Sequence, residues 1–219
     1  YDGLGRLTGE TRPGAENISY DFNGLNVTVS DGENRKRLLA YNANGTLDTT
    51  FSGDGKVITD FGGDANQGRG IAVLSDGKIV VAGFMTNAGN RDVAVYRYNS
   101  NGALDTTFSG DGKFSFGFGA GRHDVAADLA IQSDGKIVLA GSTCDASDTN
   151  CNFAVARLNS NGILDTTFSG DGKQTTDFGG VDNGFAVALQ SNGKIVVAGE
   201  NSTVSDGFFA VARYNANGS

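Results

Sequence analysis

The chain has 219 residues, of which 38% are hydrophobic, and a net charge of −8 at pH 7. That apolar fraction is typical of a globular protein with a sizeable core. The acidic balance leaves no broad basic face, which excludes nucleic acid and anionic membrane surfaces as partners, and the basic run at residues 35–37 is too short to reverse this. No apolar run reaches the roughly 20 residues that a bilayer helix needs, so we predict no membrane span.

The first 36 residues differ in pattern from the rest of the chain. They contain YDGLGRLT at residues 1–8 and YDFNG at residues 20–24. These motifs resemble the YD repeat of rearrangement-hotspot and teneurin-type shells, a family that builds long spiralling β-sheets. The resemblance implies β-hairpins in residues 1–36, and it implies a shell segment that encloses a toxin as one possible function.

The decapeptide LDTTFSGDGK occurs three times without change, and we call each copy a connector. The first, second and third connectors are residues 47–56, 104–113 and 164–173. Their recurrence at about 58 residues marks an internal repeat, with three units in residues 37–219. We interpret the connector as the link between units. Its Asp would cap a turn, its Phe would fill the seam between sheets, and its Gly-Asp-Gly would reverse the chain.

Each connector is followed by a run ending in Phe-Gly, two apolar runs around a tight turn, a variable loop and a closing run such as FAVARYNANG. This predicts four short strands per unit, and no helical periodicity is present. The tight turns predict two-residue hairpins with both central residues at positive φ. They are Asp76-Gly77, Asp134-Gly135 and Asn192-Gly193.

Runs such as KIVVAG are apolar on both strand faces, which favours strands covered on both sides by neighbouring sheets. We therefore predict an all-β fold of repeated four-stranded antiparallel sheets, β-propeller-like, with an open stack or spiral of sheets as the alternative. About four sheets are expected: three from the repeat units and one from the N-terminal hairpins with residues 37–41.

Four motifs recur in order from residue 37 to residue 219: DGKIVVAG, FAVARYNANG, the connector and DFGG. Together they resemble the delta-60 repeat of large bacterial surface and secreted proteins. The resemblance implies a bacterial protein at the cell surface or outside the cell. The chain starts without Met and stops inside a recurring turn, which we interpret as a piece of a longer repetitive polypeptide. Neither resemblance implies a catalytic residue.

Cys144 and Cys151 bracket the sequence DASDTN in one variable loop. We interpret them as a local disulfide, which indicates an oxidising compartment, and the alternative is a pair of free thiols in a cytosolic protein. His123 is the single histidine, so a catalytic triad would need it together with Asp124 or Asp128. We interpret His123 as a surface loop residue. The two cysteines and one histidine match no usual zinc ligand set.

Calcium is the one cofactor that the residues suggest. The oxygen-bearing candidates lie in the Gly-rich turns of the connectors, next to Ser52, Ser109 and Ser169. They are Asp48, Asp54, Asp105, Asp111, Asp165 and Asp171. The alternative for these aspartates is turn capping, because the alternating spacing of an EF-hand is absent. Arg97, Arg157 and Arg213 recur at one strand position, either as a ligand-facing ladder or as partners of the repeated Asp.

These observations favour a non-enzymatic structural or adhesive element that joins copies of itself into a fibre or surface layer. Such a chain would join head to tail, with YDGLGRLT meeting the last strand FFAVARYN. The alternative is a propeller that presents its variable loops, residues 86–91, 143–152 and 201–207, to a glycan or protein. These loops contain no aromatic residue, which sugar sites usually need.

Overall fold

The structure, a computed structural model, describes residues 45–203 and 205–219 in full and the backbone of four strands before residue 45. The described residues form two compact units: the first within residues 1–60 and 99–103, the second within 61–98 and 104–219. Every strand pair is antiparallel and no described residue is helical, so the all-β prediction is confirmed.

The first unit contains one sheet in the order β1-β2-β3-β4. Its strands are β1 (Gly9–Glu10), β2 (Ile18–Asn23), β3 (Asn26–Ser30) and β4 (Lys36–Ala40). The YDFNG motif overlaps β2, whereas YDGLGRLT lies outside the described residues. The first connector and the turn at residues 99–103 belong to the same unit.

The second unit contains three sheets, which we number second to fourth. The second sheet is β5 (Ala65–Val73), β6 (Ile79–Asn87), β7 (Asn90–Tyr98) and β8 (Lys113–Phe116). The third sheet is β9 (His123–Ile131), β10 (Ile137–Cys144), β11 (Cys151–Leu158) and β12 (Lys173–Thr176). The fourth sheet has three described strands: β13 (Val181–Leu189), β14 (Ile195–Ser202) and β15 (Gly207–Tyr214).

The second and third connectors do not form the chain connection between sheets, so that part of the prediction is wrong for them. The second connector joins β7 to β8, and these two strands pair with each other, with Tyr96 opposite Lys113. The link from the second to the third sheet is instead the stretch 117–122, between β8 and β9. The second and third sheets therefore each take their fourth strand from beyond a connector, because the Lys-led run pairs back onto the closing run before it.

The tight turns also differ from the prediction. Gly77, Gly135 and Gly193 have positive φ, but the Asp or Asn before each glycine does not. In the first of these turns, Leu74 O accepts from Gly77 N at 2.9 Å and Leu74 N donates to Lys78 O at 2.8 Å. This is a three-residue loop with glycine in the left-handed region, in which only the glycine needs positive φ.

A β-bulge explains the glycine at the end of each KIVVAG-type run. The first strand of the second, third and fourth sheets carries an extra residue, such as the one between Ala126 and Asp128. The partner strand then approaches closely, and a Cβ on Gly141 would lie 1.9 Å from Val125 O. Only glycine fits such an approach.

The third sheet is covered on both faces, as its apolar runs predict. Leu129, Leu139 and Leu158 pack with Val80 and Val95 of the second sheet. On the opposite face, Val138 and Val155 pack with Ile195 and Val197 of the fourth sheet. Burying this much aliphatic surface drives the stacking, at about 1.5–3 kcal/mol for each fully buried side chain.

Candidate functional site

The second connector is anchored by a buried ion pair. Arg97 Nε donates to Asp105 Oδ2 at 2.7 Å, and Lys78 Nζ lies 2.8 Å from the same oxygen. Asp105 Oδ1 accepts from Thr107 N and Thr107 Oγ1 at 3.1 and 2.7 Å. Burial opposes ionisation of Asp105, but the hydrogen bonds from Lys78 and Thr107 and the charge of Arg97 outweigh it and hold its pKa well below the usual range.

The third connector repeats this network. Arg157 Nε donates to Asp165 Oδ2 at 2.7 Å, with Lys136 Nζ 3.2 Å from that oxygen. Burial raises the pKa of Asp165, but hydrogen bonds from Thr167 and Lys136 and the charge of Arg157 outweigh this and lower it to about 2. The arginines of both sheets thus pair with the repeated aspartate instead of facing a ligand.

The connector also holds the following sheet. Ser169 N donates to Asn217 O at 2.8 Å, and Arg157 donates to Ala216 O. Phe168 is fully buried beneath Gly218, where a Cβ would lie 3.0 Å from its ring. The Phe therefore fills the seam between sheets, as predicted. In the second and third connectors the two Asp residues, the second Thr and the Phe have the same contacts, which gives a geometric reason for repeating these residues.

The first connector keeps only part of this network. Ser52 N donates to Asn101 O at 2.8 Å, as in the other copies. Asp48, however, is half-buried, and among the described residues its carboxylate accepts only from Thr50, whose hydrogen bonds lower its pKa. When the YNANG run at residues 41–45 is aligned with YNSNG at 98–102, Ala40 occupies the position of Arg97.

The fourth sheet carries the same two cations. Arg213 and Lys194 match Arg157 and Lys136 in register, since Ile195 lies opposite Tyr214 as Ile137 lies opposite Leu158. Within the described part of the chain, neither cation has an acidic partner. Arg213 is exposed, unlike its two counterparts.

The edge and outer face of the fourth sheet are uncovered as well. Strand β7 pairs with β8 and β11 with β12, but no described strand lies beyond β15. Val211 is 61% exposed, whereas its counterparts Val95 and Val155 are fully buried. Phe209 is fully exposed beside it, although the matching residue Phe153 is completely buried. We call β15 with Arg213 and Lys194 the fourth-sheet edge.

His123 is not a surface loop residue, because it opens β9 and its side chain is only 12% exposed. Its Nδ1 lies 3.0 Å from Asp148 Oδ1 and its Nε2 lies 3.1 Å from Gly89 O. Arg91 contacts both His123 and Asp148. These contacts tie the 86–91 turn of the second sheet to the 143–152 loop of the third. No sequence motif predicts these contacts, since Arg91 and Asp148 lie in variable loops.

Cys144 and Cys151 lie directly opposite each other at the ends of β10 and β11 and form a disulfide. The pair closes the loop that carries Asp148. Strand pairing thus places the two cysteines together, while their redox state in solution stays a prediction.

Asp124 is the other buried acid at this end of the sheets. Its Oδ2 accepts from Phe118 N at 2.8 Å, and its Oδ1 is buried with no partner in the described residues. Burial raises the pKa of Asp124, with the charge of Asp92 acting in the same direction, against hydrogen bonds from Thr143 and Phe118. Asp128, the other triad candidate, accepts from Val187 N at 3.0 Å.

The six calcium candidates serve two kinds of turn. Asp54, Asp111 and Asp171 each accept from the backbone N of the Lys two residues on, and Asp48, Asp105 and Asp165 from the Thr two residues on. Among the residues with described side chains, no three acidic, His or Cys groups converge as metal ligands. A calcium role for them stays a prediction.

A polar cleft of about 300 Å³ lies between the tight turns of the second and third sheets. Lys78, Arg97, Ser133 and Ser160 line it, together with Gln132. The Oε1 atom of Gln132 is buried and has no hydrogen-bond partner among the described residues. The cleft thus offers an unused acceptor next to two cations.

Repeated antiparallel sheets, stacked through the same connector network, define the chain as a β-propeller-type repeat protein. Residues 26–51, 74–108, 132–168 and 190–219 match the family described as "Domain of unknown function (DUF5122) beta-propeller", and the chain belongs to this family. The delta-60 and YD resemblances stay predictions. No curated protein matches the chain.

Two solved structures are similar to it, each at 14% sequence identity. A protein of unknown function from Bacteroides caccae has a TM-score of 0.44, with 91% of this chain and 62% of that chain covered. An endo-arabinase from Bacteroides thetaiotaomicron has a TM-score of 0.43, with 91% and 70% covered. The chain thus spans less than two thirds of the first neighbour.

In the part of the chain that the structure describes, no helical segment has the length and hydrophobicity of a membrane crossing.

Proposed function

We propose that this chain is a non-enzymatic structural repeat module of a bacterial extracellular or cell-surface protein, and that it joins copies of itself head to tail into a fibre or surface layer. The observation that carries the proposal is the outer face of the fourth sheet, which exposes Phe209 and Val211. The matching residues of the two preceding sheets are buried. An apolar face with an open strand edge is a typical self-association surface.

The other features agree with this proposal. His123, the single histidine, is engaged by Asp148, Arg91 and Gly89, which supports a structural role over catalysis. The disulfide between Cys144 and Cys151 supports an oxidising location. A heterologous head-to-tail contact that does not close produces a filament. The YDGLGRLT segment, our first expectation for the opposite surface, lies outside the described residues.

Sedimentation velocity over a range of concentrations, with electron microscopy of the same samples, tests the proposal. We expect concentration-dependent assemblies, which Val211→Asp should disperse because it places a charge on the apolar face. Ile163→Asp is the matched control, since Ile163 is 52% exposed but lies in the turn before the third connector and not on β15. A chain that stays monomeric at every concentration would refute self-assembly.

A second function, binding of a small polar ligand, is favoured by the cleft beside Gln132. Its free acceptor and the adjacent Lys78 and Arg97 would suit a hydroxyl-rich molecule such as a sugar. A glycan array tests this function, and Gln132→Leu should abolish any signal that arises in the cleft. Binding that survives Gln132→Leu would assign the signal to the variable loops instead.

A further inference from the structure

We propose that Arg69 and Arg91 form a binding site for the carboxylate of a small acidic ligand. Both guanidinium groups lie over the ring of Phe84, with their central carbon atoms 5.2 and 5.9 Å from the ring centroid. The site belongs to the second and third sheets and lies towards the 86–91 turn, whereas the cleft beside Gln132 lies at the tight turns. Binding at this site does not require self-assembly.

Arg69 presents an open guanidinium group. It is the extra residue of the bulge in β5, between Gly68 and Gly70, and its Nε donates to Gln67 Oε1 at 3.0 Å. Its two terminal nitrogens have no acceptor among the described residues, and neither nitrogen is shut off from solvent. These nitrogens form the planar fork that binds a carboxylate through two parallel hydrogen bonds.

The charge of Arg69 is not balanced. Arg69 is half-buried, and burial lowers its pKa, with the charge of Arg91 acting in the same direction. No carboxylate of the described residues pairs with it. A bound carboxylate would replace the hydration that burial removes and would reduce the repulsion between the two arginines. The local field therefore favours an anion, although the whole chain carries a net charge of −8.

The chain itself shows how one half of this site holds a carboxylate. Asp148 pairs with Arg91 through Oδ2, and its Oδ1 lies 3.0 Å from His123 Nδ1. This one carboxylate faces the positive charge of Arg91, so the charge of Arg69 beside it remains unmatched. A ligand carboxylate would do for Arg69 what Asp148 does for Arg91.

The repeat does not need this group of residues. None of the three recurs at the matching positions of the third and fourth sheets. Those positions hold Ala127 and Phe185 for Arg69, Ser142 and Glu200 for Phe84, and Cys151 and Gly207 for Arg91. Sheets of this chain thus stack without the two arginines. A bulge that re-aims a side chain is common beside functional sites, which fits a binding role for Arg69.

Isothermal titration calorimetry of the full chain with sodium glucuronate in excess, at constant ionic strength, tests the site. We expect a dissociation constant in the millimolar range, and no binding of glucose, which has no carboxylate. Arg69→Gln should weaken binding by about tenfold or more, because it removes both the charge and the fork. Arg213→Gln is the matched control, since it removes the charge of an exposed arginine on β15 and should leave binding unchanged.

Asp148→Asn gives a readout in the opposite direction. It removes the acid beside the site and leaves Arg91 open to the ligand as well, so it should tighten binding by about threefold or more. Circular dichroism checks that each variant is folded.

Acetate, as a second probe, distinguishes two sources of the carboxylate. Tighter binding of glucuronate supports a sugar acid, and equal binding supports a small free carboxylate. Glucuronate that fails to bind, or that binds equally well to Arg69→Gln, would overturn the assignment, and so would weaker binding to Asp148→Asn. None of these results bears on self-assembly, which sedimentation measures separately.

Discussion

The substitution Asp165→Asn tests the buried network that holds each connector. The Asn side chain can keep an oxygen at the position of Asp165 Oδ1. In the wild-type chain that oxygen accepts hydrogen bonds from Thr167 N and Thr167 Oγ1 at 3.1 and 2.7 Å. The substitution replaces the oxygen that accepts from Arg157 at 2.7 Å and Lys136 at 3.2 Å with an N–H donor. Arg157 and Lys136 thus lose their acceptor, while the hydrogen bonds from Thr167 remain.

The magnitude follows from the pKa of Asp165, which folding lowers from 3.8 to about 2. At about 1.4 kcal/mol for each pKa unit, the carboxylate contributes about 2 kcal/mol to the free energy of unfolding. Arg157, with a side chain only 7% exposed, is left without its carboxylate, so the loss should reach about 3 kcal/mol.

Urea unfolding at pH 7, followed by far-ultraviolet circular dichroism, measures this loss. Asp48→Asn is the matched control, since it changes the same residue of an identical connector whose carboxylate contacts no cation among the described residues, and it should leave the unfolding midpoint unchanged. Because the pKa of Asp165 is lower in the folded state, its contribution is fully present above about pH 4 and is lost towards about pH 2. A loss below about 0.5 kcal/mol at pH 7, or one that does not shrink in acid, would refute the reasoning.

Three further outcomes test the packing, a buried acid and the disulfide. Gly162→Ala should cost about 3 kcal/mol in urea unfolding and Gly110→Ala about 1 kcal/mol, because both have positive φ but only the first places a Cβ 2.8 Å from the Phe108 ring; equal losses would exclude this contact. Asp124→Asn should stabilise the fold at pH 7 by about 1 kcal/mol, since burial raises the pKa of Asp124 and its ionised form is disfavoured there, and the gain should fade as acid protonates the wild-type side chain. A less stable Asn variant at pH 7 would contradict this. Cys151→Ser should lower stability by about 2 kcal/mol, and the wild-type mass without reductant should show the loss of the two thiol hydrogens; readily alkylated thiols would count against the disulfide.

The local pattern of the sequence was sufficient to predict strands, sheets and a repeat. Apolar runs on both faces predicted covered sheets, and the third sheet is covered on both sides. Gly-centred turns predicted hairpins, although only the glycines adopt positive φ. The phenylalanine of the connector fills the seam between sheets because a large apolar side chain among turn residues has no other buried place.

Only the tertiary structure decided how the strands are shared. In the sequence, each repeat unit begins at a connector. In the structure, the strand that follows the second or third connector, β8 or β12, pairs with the strand before that connector and completes the preceding sheet. The apolar pattern along the chain predicts where strands form, but it does not determine which strands pair with each other. The contacts of His123 with Asp148 and Gly89 depend on the same strand pairing, since stacking sheets brings together turns that are distant in the chain.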